Sequence, residues 1–270
     1  MSAPTSGRGQ IARWGLNVYA ALGLIYLFVP IAWIIWFSFN QPAGRYNIVW
    51  QRFTLDNWSD PFANSDLTGA FVESLKIAAI STSIATVLGS LIAVALSRYS
   101  FRGASGLNLF LVLPLTTPEI VLGSSLATLF FDWDVSRGFT TVIIAHVMFQ
   151  VSFVALTVRA RVRGFDWTLE LAAQDLGATP MRTFWKITFP LILPGILAAA
   201  LLSFALSIDD FIITLFNAGS LSTFPLYING SFRVQFPPQA NVLATMVLVA
   251  SVGLLMVGVV RSSRRNASDR

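Results

Sequence analysis

The sequence predicts an all-α integral membrane protein: six transmembrane helices with both termini in the cytoplasm. Three observations carry that prediction. Hydrophobic residues make up 55% of the 270 positions and charged residues only 11%, where a soluble chain carries about 25% charge. Six apolar runs are each long enough to cross a hydrocarbon core, which takes about 20 residues of helix. Lysine and arginine gather in alternate connecting segments, the pattern that orients membrane helices. A chain this apolar has too little polar surface to enclose a globule, so lipid is its expected solvent.

The runs cover residues 15–37, 70–97, 107–131, 139–159, 190–216 and 241–261. Arg8 and Arg13 precede the first run as they would a signal peptide. The run is too long for a signal core, however, and no small-x-small cleavage pattern follows it, so a retained span is expected. With segment 1–14 inside, thirteen basic residues fall in inner segments and four outside (Arg45, Arg52, Arg137 and Arg233), while Lys76 lies within the second run. That bias also puts the tail, 262–270, in the cytoplasm. The net charge of +5 is scattered in short clusters rather than gathered in one patch, which argues against a nucleic-acid partner.

In the second run Ser81, Ala85, Gly89, Ala93 and Ser97 recur every four residues. Such a stripe lets another helix approach closely, and packing within the chain is expected over an interface with a partner. Glu73 and Lys76, three apart, are expected to pair on their own helix. Cysteine is absent, which removes disulfides, thiolate metal sites and a cysteine nucleophile. The single His146 lies inside an apolar run and is expected to be a packed polar residue rather than a metal ligand, since no partner ligands accompany it.

Between the fourth and fifth runs lies a long inner loop, 160–189, within a transmembrane domain of 15–261. Asp166 suits the start of a short helix over Trp167–Leu176, and Gly177 suits the left-handed position that ends one. Ala172 and Ala173 leave a flat face on it. Pro180 opens a second amphipathic piece, with Phe184, Trp185 and Ile187 apolar and Arg182 and Lys186 polar. Pro190 and Pro194 stand at the opening of the fifth run, where a first-turn proline is tolerated.

The segment Leu171-Ala172-Ala173-Gln174-Asp175-Leu176-Gly177, followed by Ile187-Thr188-Phe189-Pro190, resembles the EAA loop of permeases from binding-protein-dependent ABC importers. The Ala-Ala pair, the glycine and the Ile-x-x-Pro spacing match. Leu171 stands where the motif has glutamate, Glu170 comes one residue early, about 100° around a helix, and Phe189 replaces a leucine. Leu113-Pro114-Leu115-Thr116-Thr117-Pro118-Glu119-Ile120-Val121 and Ser203-Phe204-Ala205-Leu206-Ser207-Ile208-Asp209-Asp210-Phe211 are similar to the polyamine type, the C-type permeases of spermidine/putrescine importers. Phe224–Ile228 and Ala240–Thr245 fit the same group, and opine and aminophosphonate permeases are relatives.

The resemblance implies a type I ABC importer permease fold in the bacterial plasma membrane. It further implies a heterodimer with a homologous second permease, two ATPase subunits and an extracytoplasmic substrate-binding protein. Docking on the ATPase would involve Glu170, Leu171, Ala172, Ala173, Asp175, Gly177, Ile187 and Pro190. ATP and Mg belong to the partner ATPase, because the chain carries no G-x-x-x-x-G-K-[ST] phosphate loop. No cofactor or metal is expected in the chain itself.

Carboxylates inside apolar runs are costly and therefore candidate functional groups. Glu119 falls near the middle of the third run, with Pro118 freeing a backbone carbonyl before it. Asp209 and Asp210 lie about 22 Å along the fifth run from Pro194. Three acids along a path suit a polycation, and Trp133, Phe211 or Tyr227 would add aromatic faces for it. The competing expectation for each acid is structural pairing. A membrane enzyme acting on lipid would need a clustered nucleophile, base and orienter, which the scattered acids do not supply; a non-catalytic scaffold is the remaining alternative.

Overall fold

The computed structural model describes residues 7–268, with side chains described over 14–253 and at Met256. The first six and last two residues, and the basic side chains at Arg8, Arg13, Arg261, Arg264, Arg265 and Arg270, lie outside that description. The described chain is mostly helical and divides into two compact units.

The first unit joins residues 1–65 to 230–270. Helix α1 (Gly7–Phe37) leads into a two-residue hairpin, β1 (Asn40–Gln41) against β2 (Arg52–Phe53), and a single turn, α2 (Asp56–Ser59). Buried Asn40 and Asn57 tie the hairpin together: Asn40 Nδ2 donates to Asn47 Oδ1 at 2.7 Å, and Asn57 Nδ2 to the Asn40 carbonyl at 2.8 Å. Trp36, Phe37, Phe39, Trp50, Phe53 and Trp58 stack around this end of α1. Amphipathic rings of this kind concentrate where a helix leaves hydrocarbon. The final helix, α12, runs Pro238–Ser268.

The second unit spans 66–229. Its long helices are α3 (Ser65–Arg98), α6 (Phe139–Val162) and α9 (Phe189–Asp209). Between the first two lie α4 (Ala104–Thr116) and α5 (Glu119–Asp132); between the last two, α7 (Thr168–Asp175) and α8 (Pro180–Thr183). A π-helical turn over Phe184–Thr188 joins α8 to α9, and α10 (Ile212–Asn217) and α11 (Phe224–Ser231) follow. The core runs along α6, where Val154, Val158 and Val162 meet Ala85 and Ala93 of α3 and Ile192 and Ala199 of α9. The small-residue stripe thus packs within the chain. A Cβ on Gly89 would sit 2.7 Å from Val154 Cβ and 2.9 Å from the Val151 carbonyl, so only glycine allows this crossing. Glu73 and Lys76 pair at 2.8 Å as expected.

Among the described residues, four helical segments are long and apolar enough to cross a membrane: Trp14–Phe37, Ser65–Arg98, Phe139–Val162 and Pro180–Asp209. The third run is not one straight helix. It breaks between α4 and α5 with a bend of 107°, and the pair makes a fifth crossing if it is one span. Pro118 explains the break: it has no N–H to donate and forces Thr117 into extended backbone, φ −80° and ψ 132°. The fifth run differs at both ends. Its helix begins at Pro180 rather than 190, and it stops at Asp209 because Asp210 turns extended at ψ 121°. Pro190 is absorbed just after the π turn, whose Phe189 N–H reaches back five residues to the Phe184 carbonyl. That wider turn accommodates a ring that would otherwise clash with the preceding turn.

Candidate functional site

Two breaks in the helical unit face one cavity. Pro114–Glu119, at the α4–α5 break, and Leu206 with Asp209–Ile213, at the α9–α10 break, line a space of about 570 Å³, closed on another side by Leu122, Phe149 and Phe153. Interrupted helices at membrane depth are tolerated where the irregular backbone is buried or lines a cavity. Three lining residues are acidic, and none of the described lining residues is basic. Glu119 begins α5, where a carboxylate interacts favourably with the positive helix end.

The two adjacent aspartates have different surroundings. Asp209 is exposed, whereas Asp210 is buried. Asp210 Oδ2 accepts from the Thr214 N–H at 2.8 Å and the Thr214 hydroxyl at 2.6 Å, which starts α10. His146, 1% exposed on α6, places Nε2 3.2 Å from the same oxygen. Its Nδ1 lies 2.7 Å from Ser207 Oγ. The expectation that His146 is a packed polar residue is met, though it packs against the cavity acid itself.

Of the candidate pathway residues, the fold brings Glu119, Asp209, Asp210 and Phe211 together on the cavity. Trp133 and Tyr227 are not among the lining residues. Trp133 closes α5, about 20 Å of helix beyond Glu119, and Tyr227 sits on α11. Phe149, Phe153 and His146 were missed as cavity or near-cavity residues. The signal was present: they line one face of α6 at spacings of three and four, but periodicity cannot separate a cavity wall from ordinary core.

The loop forms a second site. Helix α7 ends in a full Schellman turn: the Ala178 N–H donates to the Ala173 carbonyl at 3.0 Å and the Gly177 N–H to that of Gln174 at 2.8 Å, with Gly177 at φ +85°. Asp166 Oδ1 accepts from the Thr168 N–H at 3.0 Å and hydroxyl at 2.8 Å, and those two bonds hold its carboxyl below the usual aspartate range. Glu170 is the one buried residue of α7. Its Oε2 lies 2.8 Å from Arg98 Nη2, at the end of α3, and its Oε1 accepts from the Thr188 hydroxyl. Arg98 lies 5.8 Å over the Trp167 ring. Leu171, one residue on, is 61% exposed.

The proposed loop residues therefore divide between two faces. Leu171, Ala172, Asp175 and Gly177 are exposed, together with Leu176, Met181 and Trp185, while Glu170 turns inward. Ala173 and Ile187 are partly covered, and Pro190 stays exposed at the start of α9. Large apolar side chains are thus exposed along this loop at Leu171, Leu176, Met181 and Trp185.

Known proteins resemble the chain in sequence and in fold. Residues 85–266 match the family described as binding-protein-dependent transport system inner membrane component. The spermidine/putrescine transport system permease protein PotC of Escherichia coli K12 is 39% identical over 251 residues, 92% of each chain. PotC of Haemophilus influenzae is 34% identical, covering 93% of this chain and 97% of its own. The putrescine transport system permease protein PotI of Escherichia coli K12 is 35% identical, covering 88% and 86%. The fold matches a chain from the crystal structure of a bacterial ABC transporter that imports the acidic polysaccharide alginate, with a TM-score of 0.66 at 14% identity, over 97% of this chain and 99% of that one. Cavity, loop and sequence lead to one conclusion: the chain belongs to the binding-protein-dependent transport system inner membrane components, as a multi-pass permease subunit and not itself an enzyme.

Proposed function

We propose that this permease forms half of the pathway of an ATP-driven importer for polyamines. The observation that carries the substrate class is the cavity with three acids and no described basic lining residue. A chain of ammonium groups spaced by methylenes would meet carboxylates at Glu119, Asp209 and Asp210 and aromatic faces at Phe149, Phe153 and Phe211. The names of the relatives, spermidine/putrescine and putrescine permeases, support the same class.

In this reading the chain crosses the membrane six times with both termini cytoplasmic. The crossings are α1, α3, the bent α4–α5 pair, α6, the Pro180–Asp209 segment and α12, and the distribution of arginine supports the orientation. Residues 1–14 and 262–270 are cytoplasmic ends, and 160–189 is the coupling loop. Its exposed face, Leu171, Ala172, Asp175, Leu176 and Gly177, enters a cleft on the ATPase. A homologous permease supplies the other half of the pathway, two ATPase subunits bind ATP and Mg, and an extracytoplasmic binding protein delivers substrate. A solved relative of this fold is a bacterial alginate transporter in complex with a substrate-bound periplasmic protein (TM-score 0.62), which supports that last partner.

Substrate-stimulated ATPase activity of the purified complex tests the proposal across putrescine, spermidine, opines, sugars and amino acids. Polyamines are expected to stimulate; stimulation by another class alone would overturn the substrate while leaving the importer reading. Deleting 166–178 is expected to abolish co-purification of the ATPase, and an intact complex after that deletion would overturn the role of the loop.

A further inference from the structure

The buried polar groups behind the cavity form one connected chain across α3, α6, α9 and α10. Gln150 Nε2 donates to Ser81 Oγ at 3.3 Å. Ser81 Oγ and Ser207 Oγ are 3.2 Å apart. Ser207 Oγ meets His146 Nδ1 at 2.7 Å, and His146 Nε2 faces Asp210 Oδ2 at 3.2 Å and Thr214 Oγ1 at 2.9 Å. Every one of these residues is buried.

The Gln150 amide donates from Nε2, so Ser81 accepts there, and the Ser81 hydroxyl also faces the Ala78 carbonyl at 3.5 Å. Ser207 Oγ stands between Ser81 Oγ and His146 Nδ1, bridging α3 to α6. At the other end of the ring Nε2 meets Thr214 Oγ1, with Asp210 Oδ2 3.2 Å away. Thr214 spends its own hydroxyl hydrogen on Asp210, so the ring and the carboxylate share one threonine.

We propose that His146 is a positioning residue for substrate: held between Ser207 and Thr214, it orients Asp210 in the α9–α10 break and so sets the affinity of the cavity for cationic amines. The proposal rests on the polyamine reading above. The histidine faces the buried carboxylate with Nε2 3.2 Å from Oδ2. It also links α6 to both sides of the break, through Ser207 on α9 and Thr214 on α10, which keeps Asp209 and Asp210 on the cavity wall. Contact with substrate belongs to the acids; His146 acts through them.

Uptake of radiolabelled putrescine and spermidine by the complete transporter, assembled with its partner subunits, tests this. His146→Ala is expected to raise the apparent KM by about tenfold or more with kcat changed far less, the signature of lost binding rather than a lost turnover step. His146→Gln keeps an N–H donor and is expected to recover most of the KM. Ser207→Ala removes the partner of His146 Nδ1 and is expected to move KM in the same direction by a smaller factor. An unchanged KM in His146→Ala, or a fall in kcat alone that His146→Gln shares, would overturn the role of His146. If His146→Ala does not assemble, the Gln and Ser207 variants still decide: a wild-type KM in Ser207→Ala together with a wholly inactive His146→Gln overturns it. A wild-type transporter that takes up neither amine would overturn the polyamine reading, and this proposal with it.

Discussion

The loop and the cavity each bury one carboxylate, Glu170 and Asp210, and among the described residues these are the only buried acids. Their partners differ in kind. Glu170 meets an arginine, so the charge is cancelled where it stands. Asp210 meets a histidine, a threonine hydroxyl and a backbone N–H, which satisfy its lone pairs, and it lines the cavity. Burying an ion is costly unless it is paired or well hydrogen-bonded, and both solutions meet that requirement. Only the second faces a cavity. The difference separates a carboxylate locked inside a loop from one on a cavity wall, although each site starts with one buried acid.

The largest effect is expected from breaking the Glu170–Arg98 pair. Glu170→Ala leaves Arg98 facing the gap, and breaking a buried pair costs about 3–5 kcal/mol; the cost here falls at the low end because Arg98 keeps 29% side-chain exposure. Melting of the purified complex and the amount of bound ATPase should both drop. The double exchange Arg98→Glu with Glu170→Arg should recover part of the loss, and no recovery would mean that Glu170 acts on the ATPase directly. Next comes Gly89→Leu. It drives a side chain into Val154, where even a Cβ would lie at 2.7 Å, and detergent-stable yield should collapse whichever carboxylate is intact.

The comparison is sharpened within the cavity by two isosteric changes. Asp209→Asn removes the charge of an exposed acid and is expected to raise KM for putrescine about tenfold with normal assembly. Asp210→Asn removes an acceptor that starts α10, so it should lower thermal stability as well as affinity. Equal melting temperatures for the two variants would contradict the division drawn between them. The smallest effect belongs to Asp166. Its carboxyl is held below the usual value by Thr168, so its contribution to the loop is complete above the ordinary Asp pKa of about 3.9 and is lost as pH falls through the lower folded value. Hydrogen exchange of the 168–175 amides should be faster in Asp166→Ala at neutral pH, and the gap from wild type should close in acid.

Much of this was legible in the residues. The close of α7 was announced by Gly177 and the small-residue stripe by its period of four, whereas Pro118 was read only as freeing a carbonyl inside one continuous run. Pattern alone carried the first two because each depends on local backbone geometry or on one helix face. The 107° bend was not legible: a proline marks a possible kink, while its angle follows from what packs on either side. The inward turn of Glu170 was open for the same reason. A carboxylate one residue out of place has a defined direction on its helix but no defined partner until α3 and the π turn bring Arg98 and Thr188 to it.

By itself the sequence determined the solvent of the chain, the crossing segments that composition can measure, the short helix of the 160–189 loop and the family, since these rest on short-range pattern and on motif. Tertiary structure alone decided which acids meet. Glu119 and Asp209 are 90 positions apart in the chain, and His146 and Asp210 are 64 apart. Their proximity comes from two helix breaks folding against one cavity wall, and no periodicity within a single segment encodes a contact between segments.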